Sequence, residues 1–292
     1  MLPVALLFWL LLEIACYLAI GRFLFAAPWP YALGGAVGGL LGLRAGLNMI
    51  TWLFGMAFAS PAPRLGAART AQLMLQEFGA YLLDFLLVIP LERLWMPPDR
   101  LFGGGRVILL VHGYGCSRGV WWLLRRRLEA AGHTVASISL VPPFADIDLL
   151  ADQLHERIEA VCATTGSRQI TLLAHSMGGL VCRACLARHG GDRISRLLTL
   201  AAPHGGSELA RLGIGPAARQ MEADSPWLAQ LNAVPVTVPV LALRSPYDNY
   251  VMPQDRQVLP GARSLNLPPV GHLAQLTDRR VARLLIDLLK DN

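Results

Sequence analysis

Leu172-Leu173-Ala174-His175-Ser176-Met177-Gly178-Gly179 joins two kinds of chain. Before it, Gln169 to Ala174 is a short apolar run rich in β-forming residues; after it, Met177 to His189 has the spacing of a helix with little polar surface. Ser176 therefore falls on a strand-to-helix turn, where a serine is held on a sharp elbow with its hydroxyl above the sheet and a helix N-terminus behind it. Small residues at 174 and 178 allow the strand and helix to approach closely enough to form that elbow. A serine that merely capped the helix would also fit the turn, but it would not need small residues on both sides.

Outward from the elbow, strands and helices alternate. Val107–Val111, Thr134–Leu140, Ile170–Ala174, Ile194–Ala201, Val238–Leu243 and Arg263–Leu267 read as strands. Helical stretches are expected near Val120–Ala131, Ile147–Val161 and Met177–His189, and from about Leu273 to Leu289. This rhythm predicts an α/β domain, a mostly parallel sheet with helices on both faces. Only Gly205 to about Asn232 breaks it.

A serine hydroxyl becomes nucleophilic when a base takes its proton and a third group orients that base. Among seven histidines, His112, His175 and His204 flank candidate active-site turns, whereas His133, His155 and His189 lie at strand starts or on helices. His272 directly follows the last strand, in Pro269-Val270-Gly271-His272, and functional side chains converge at the C-terminal edge of a parallel sheet. By the same reasoning Asp248, in Arg244-Ser245-Pro246-Tyr247-Asp248, is the leading acid, with Asp255 and Asp224 as rivals and a turn-forming role as the alternative.

The chain order Ser176, Asp248, His272 is that of the α/β-hydrolases, and from Val107 onward the sequence resembles that family, most closely its bacterial lipase and esterase branch. The resemblance rests on Val111-His112-Gly113-Tyr114-Gly115, Ala174-His175-Ser176-Met177-Gly178-Gly179, Ala202-Pro203-His204-Gly205-Gly206-Ser207 and the loops of Asp248 and His272. Ala174 stands where the commoner motif has glycine. The resemblance implies a Ser-His-Asp triad, an acyl-enzyme and no cofactor or metal. It implies an oxyanion hole from the backbone N–H groups of Tyr114 and Met177, with His112 bracing the loop. It also makes residues 205–232 a short cap, with Met221, Trp227 and Leu228 as candidate substrate-pocket lining. Thioesterases and acyltransferases use the same residue set.

The first third of the chain is of another composition. Mean hydropathy over the 292 residues is +0.44, and the first sixty residues contain only Glu13, Arg22 and Arg44 as charged side chains. Leu2 to Ile20 and Tyr31 to about Ala59 are each long enough to span a bilayer. Residues 1–60 are thus expected to be a membrane anchor of two helices, 61–105 an amphipathic helix with a linker, and 106–292 the catalytic domain. Gly34, Gly38, Gly42 and Gly46 recur every four residues and could support helix–helix association; Glu13 and Arg44 could pair across the hairpin. Thr70 to about Trp95 reads as a helix with Met74, Phe78, Tyr81, Phe85 and Ile89 on one face, and Glu77 and Asp84 argue against its crossing the bilayer.

The net charge of +6 comes almost wholly from arginine. No basic stripe with interleaved aromatics suggests nucleic acid; lipid or an acyl ester is the expected partner. Five cysteines without metal-ligand spacing read as free thiols. Arg64 and Arg69 after the second span, against Arg22 between the spans, favour a bacterial inner membrane with the catalytic domain in the cytoplasm. The rival reading is a membrane scaffold or transport-associated protein whose hydrolase domain is accessory.

Overall fold

In a computed structural model the protein is described over residues 1–102 and 106–290. Its apolar N-terminus forms helices α1 (Leu2–Ala19), prolonged by a wider π-type turn over Ile20–Leu24, and α2 (Trp29–Ala57). Pro28 and Pro30 start α2, where a missing N–H costs nothing. The two helices run antiparallel. A Cβ on Gly21 would meet Ala32, one on Gly39 would meet the Tyr17 ring, and Arg44 hydrogen-bonds Glu13. The contact face of α2 is thus Ala32, Ala36 and Gly39. Gly34, Gly38, Gly42 and Gly46 face open space and take no part in it.

Helix α3 (Ala67–Leu82) continues as a π-type turn over Leu83–Val88, and a single turn, α4 (Glu92–Trp95), follows. By length and composition three segments could cross a membrane: Leu2–Leu24, Trp29–Ala57 and Ala67–Val88. The third lies against the sheet domain, and its buried face differs from the apolar stripe expected. Leu73, Glu77, Ala80, Asp84 and Val88 are buried; of the expected stripe Ile89 is buried, and Met74, Phe78, Tyr81 and Phe85 are half-buried. The buried stripe includes two carboxylates, and that of Glu77 is hydrogen-bonded by the domain beneath it.

The sheet domain contains β1 (Val107–Val111), β2 (Thr134–Ile138), β3 (Ile170–His175), β4 (Ile194–Leu200), β5 (Val240–Arg244) and β6 (Arg263–Asn266). The strands pair in the order β2-β1-β3-β4-β5-β6, all parallel. The connecting helices are α5 (Trp122–Ala130), α6 (Ile147–Thr165), α7 (Met177–His189), α8 (Gly215–Gln220), α9 (Pro226–Ala233) and α10 (Arg279–Lys290). Every residue of β1 and β3 is buried, as strands covered on both faces must be. Alternation sends Leu109 and Leu172 into a core with α6 and α7, and Leu110 and Leu173 into one with α5, α10 and the end of α3. Each such leucine stabilises the fold by roughly 2–3 kcal/mol through burial alone.

The chain winds from β1 to β2 on one side, then returns to β3 on the other. The strand order therefore reverses between β1 and β3, and the crevice at their C-terminal ends is the topological switch point. The loops carrying His112-Gly113 and Ser176 meet there.

Candidate active site

Ser176 follows β3 with φ 55° and ψ −130°, a backbone conformation rare for any residue but glycine. Two glycines make that turn possible. A Cβ on Gly178 would stand 2.5 Å from the Val111 carbonyl oxygen, and one on Gly179 would stand 2.4 Å from the Ala202 side chain. The start of α7 is therefore pressed against the ends of β1 and β4, and the strain at Ser176 is held by packing on both sides. Met177 is the first residue of α7, so its N–H has no acceptor within the helix. Across the crevice, a Cβ on Gly113 would lie 2.8 Å from Ser176 Cβ, so the loop that ends in Tyr114 lies directly over the serine.

His112 fixes that loop. Its Nδ1–H donates to the Gly113 carbonyl (2.8 Å) and its Nε2 accepts the Leu140 N–H (3.0 Å). Both bonds require the neutral ring, and burial pushes its pKa down to about 4. Tyr114 ties the same loop to the cap, because its hydroxyl both donates to the Ile214 carbonyl (2.6 Å) and accepts the Ile214 N–H (2.8 Å).

After β5 and β6 the chain brings Asp248 and His272 together, with His272 Nδ1 donating to Asp248 Oδ2 at 2.8 Å. Asp248 Oδ1 accepts the N–H groups of Tyr250 and Val251, each at 2.8 Å, and Oδ2 also accepts from Gln275 Nε2 at 3.3 Å. Four donors thus fix a carboxylate that water does not reach. Because Nδ1 is the donor, Nε2 of His272 carries the lone pair. The ring lies between Tyr250, stacked at 4.9 Å, and His175 at 4.6 Å. His175 Nε2 donates to the His272 carbonyl (3.1 Å), and burial holds the His175 pKa well below the usual histidine value. A base needs an oriented ring with one free nitrogen, and this arrangement supplies it.

The other candidates lie elsewhere. Asp255 pairs with Arg244 (2.8 Å) and Asp224 with Arg211 (3.3 Å), both on the surface. His204 is buried against Thr199, facing a separate groove of about 830 Å³ between α7 and the loop after β5. His155 and His189 stack on each other over α6 and α7.

Ser176 opens onto a cavity of about 200 Å³ lined with Tyr114, Pro203, Leu209, Leu212, Met221 and Val251 among others. Met221 is in its wall. Trp227 and Leu228 are not. Trp227 hydrogen-bonds Asp148 through its indole N–H (3.1 Å) and packs on the sheet core, and Leu228 is buried in that core. The Ser225 side chain accepts the Leu228 N–H and Pro226 opens α9, which fixes the start of the helix that carries both. Sequence reading missed Glu77, Thr51 and Asn249, which all contact the His272 loop or its support; none belongs to a motif or stands at a strand end. Asn249 alone had a signal, its place next to Asp248.

A sequence-family profile described as the alpha/beta hydrolase fold matches residues 106–239. Triacylglycerol lipase 2 of Saccharomyces cerevisiae is 33% identical over 96 residues, 31% of this chain and 29% of that protein. The chain spans less than half the length of the curated relatives it matches. The mature form of a Bacillus licheniformis lipase superposes with a TM-score of 0.59 at 18% identity, covering 67% of this chain and 96% of that one. Lipase B of Aspergillus fumigatus gives 0.60 at 18% identity, over 68% of this chain and 57% of its own. At such identities the superpositions speak to the fold, and they agree with the topology and the profile. From Arg106 onward the chain has the α/β-hydrolase fold, and over residues 106–239 its sequence matches the profile of that fold.

Proposed function

We propose that the protein is a membrane-anchored serine hydrolase that cleaves carboxylic esters of acyl lipids. One observation carries this reading. A carboxylate with four donors orients a histidine at the switch point where a serine is held in a strained turn. In the proposed reaction Ser176 Oγ attacks the ester carbonyl while its proton passes to His272 Nε2. The N–H groups of Met177 and Tyr114 receive the oxyanion, a stabilisation commonly worth about 3–4 kcal/mol per donor. His272 returns the proton to the leaving alcohol, and water removes the acyl group by the same path. Asp248 keeps the ring oriented and stabilises the imidazolium without taking the proton itself. The apolar cavity wall suits an acyl chain, and the lipases and esterases among the relatives point to the same bond.

Length and composition support the anchor. At 1.5 Å per residue the 29 residues of α2 extend roughly 44 Å, longer than a hydrocarbon core of about 30 Å. The excess is accounted for at its C-terminal end, where Asn48, Thr51, Trp52 and Gly55 are buried. Leu2 and Leu6 of α1 also pack on the sheet domain, so both ends of the hairpin emerge on the catalytic side. We place α1 and α2 across the bilayer and α3 on the domain. Arg64 and Arg69 favour the cytoplasmic face for that side.

The test is fluorophosphonate labelling of carbonate-washed membranes. The wild-type protein is expected to carry the label in the membrane pellet, and Ser176→Ala to be present there unlabelled. Equal labelling of the two would remove Ser176 as the nucleophile; labelled protein in the wash would remove the anchor.

A further inference from the structure

The loop that carries His272 presents three consecutive backbone N–H groups, and each is received by a side chain. That of His272 donates to Asn249 Oδ1 (3.2 Å), that of Leu273 to Glu77 Oε1 (2.9 Å) and that of Ala274 to Glu77 Oε2 (2.9 Å). Glu77 stands on α3, outside the sheet domain. Asn249 is in turn held by α2, because its Nδ2 donates to Thr51 Oγ1 (2.7 Å). The Thr51 hydroxyl spends its own proton on the Asn48 carbonyl (2.7 Å). Towards Asn249 it can only accept, which turns the amide nitrogen to α2 and the amide oxygen to His272.

We propose that α2 and α3 are working parts of the catalytic site, and that Glu77 is a positioning residue for His272, holding its loop through two backbone N–H groups.

Asp248 fixes the direction of the imidazole through Nδ1, but a side-chain bond does not fix the backbone that carries the ring. Glu77 supplies that restraint. It is fully buried, so water does not compete for its oxygens. A carboxylate in such a place is costly unless hydrogen-bonded, and an apolar residue would cover the same surface at less cost. Contact is close. A Cβ at Gly271 would stand 2.5 Å from Glu77 Oε2, so the residue before the base has to be glycine for the carboxylate to reach the N–H groups beyond it. From the opposite side His175 donates to the His272 carbonyl. The loop is thus held on one side by the sheet domain and on the other by the N-terminal helices. Misplacing a reacting group by about 1 Å can cost on the order of a hundredfold in rate, and Glu77 is placed to prevent such a shift.

This role rests on the ester-hydrolase reading and is tested on full-length protein in detergent micelles, with a soluble short-chain ester and with the rate of fluorophosphonate labelling. Glutamine at 77 keeps the shape but turns an N–H₂ group toward one of the two backbone donors. Glu77→Gln is expected to lower kcat by about tenfold or more, with KM within about twofold and the labelling rate falling in step. Glu77→Asp, which keeps two acceptor oxygens on a shorter stem, should recover part of the loss. Thr51→Val should lower kcat by a few-fold at unchanged KM. Glu77→Gln with kcat within twofold of wild type would overturn the proposal. If that variant does not fold, Thr51→Val decides: a lowered kcat at unchanged KM supports it and wild-type kcat overturns it. A wild-type protein that neither hydrolyses esters nor takes the label would instead refute the hydrolase reading itself.

Discussion

Two buried carboxylates serve the same histidine loop, and they come from regions built on different rules. Asp248 sits in the loop that follows β5 and accepts the N–H groups of Tyr250 and Val251, two and three residues further on. Its place is set by a turn that forms within its own segment. Glu77 sits in a helix that precedes the domain and accepts from residues 196 and 197 positions away. Its place depends on how α3 docks. The first carboxylate is a local device on a rigid sheet edge; the second exists only once the N-terminal helices have packed. In the roles proposed above, the sheet domain supplies the chemistry and the N-terminal helices supply part of its rigidity.

The largest expected effect sharpens the local side of this contrast. Asp248→Asn should lower kcat by about 10³–10⁴-fold, because the amide favours the wrong histidine tautomer. Asp255→Asn should stay within a few-fold of wild type, since Asp255 meets Arg244 on the surface. Purified variants assayed side by side on one ester settle the order. If Asp255→Asn is the more damaged, the Asp248–His272 contact is not the catalytic one.

The same contrast explains what could be read beforehand. The six strands and their parallel order follow from apolar runs alternating with helical spacing, and each core strand states its burial in its own residues. Ser176, Asp248 and His272 could be singled out because each stands in a segment that follows a strand at the C-terminal edge of the sheet, where functional side chains converge. Glu77 could not. In sequence it is one polar residue on an amphipathic helix, and of the apolar stripe Met74, Phe78, Tyr81, Phe85 and Ile89 that predicted the contact face the structure buries only Ile89 and leaves the others half-buried. The glycines of α2 show a similar limit. Their four-residue spacing is real, yet α1 docks on the neighbouring Ala32, Ala36 and Gly39 face. Docking between helices depends on shape at both surfaces, and one sequence pattern describes only one of them.

A second prediction concerns the neutral histidine that braces the oxyanion loop. Burial depresses the His112 pKa from 6.5 to about 4. Between those values the unfolded chain binds a proton that the folded protein excludes, so stability falls as pH drops from about 6.5 toward about 4. The loss over that window is on the order of 3 kcal/mol for this residue alone. His175 and His204, whose pKa values are also lowered by burial, act in the same direction. Buried Glu77, raised to about 7, contributes in the opposite sense, so the His112 contribution is read by difference: denaturant midpoints of wild type and His112→Asn at pH 7, 6 and 5 should converge as pH falls. A difference that stays constant over this range would mean that His112 is not held as a neutral ring.

The smallest effect separates cavity wall from core within the cap. Met221 faces the same cavity as Ser176, whereas Trp227 of the same segment turns away to Asp148 and the sheet. Met221→Ala removes contact area where an acyl chain would lie. It should lower kcat/KM for a medium-chain ester by about three- to tenfold while changing a short-chain ester little, because a shortened wall costs most where a longer chain would have touched it. Trp227→Phe keeps the ring in the core and loses one hydrogen bond at a half-buried site, so it should cost about 1 kcal/mol of stability and leave both esters within twofold. Activity measured on an ester series of increasing acyl length, with thermal midpoints alongside, checks both variants. A chain-length dependence that follows Trp227 and ignores Met221 would move the acyl site to the other end of the cap, and with it the assignment of the apolar cavity beside Ser176.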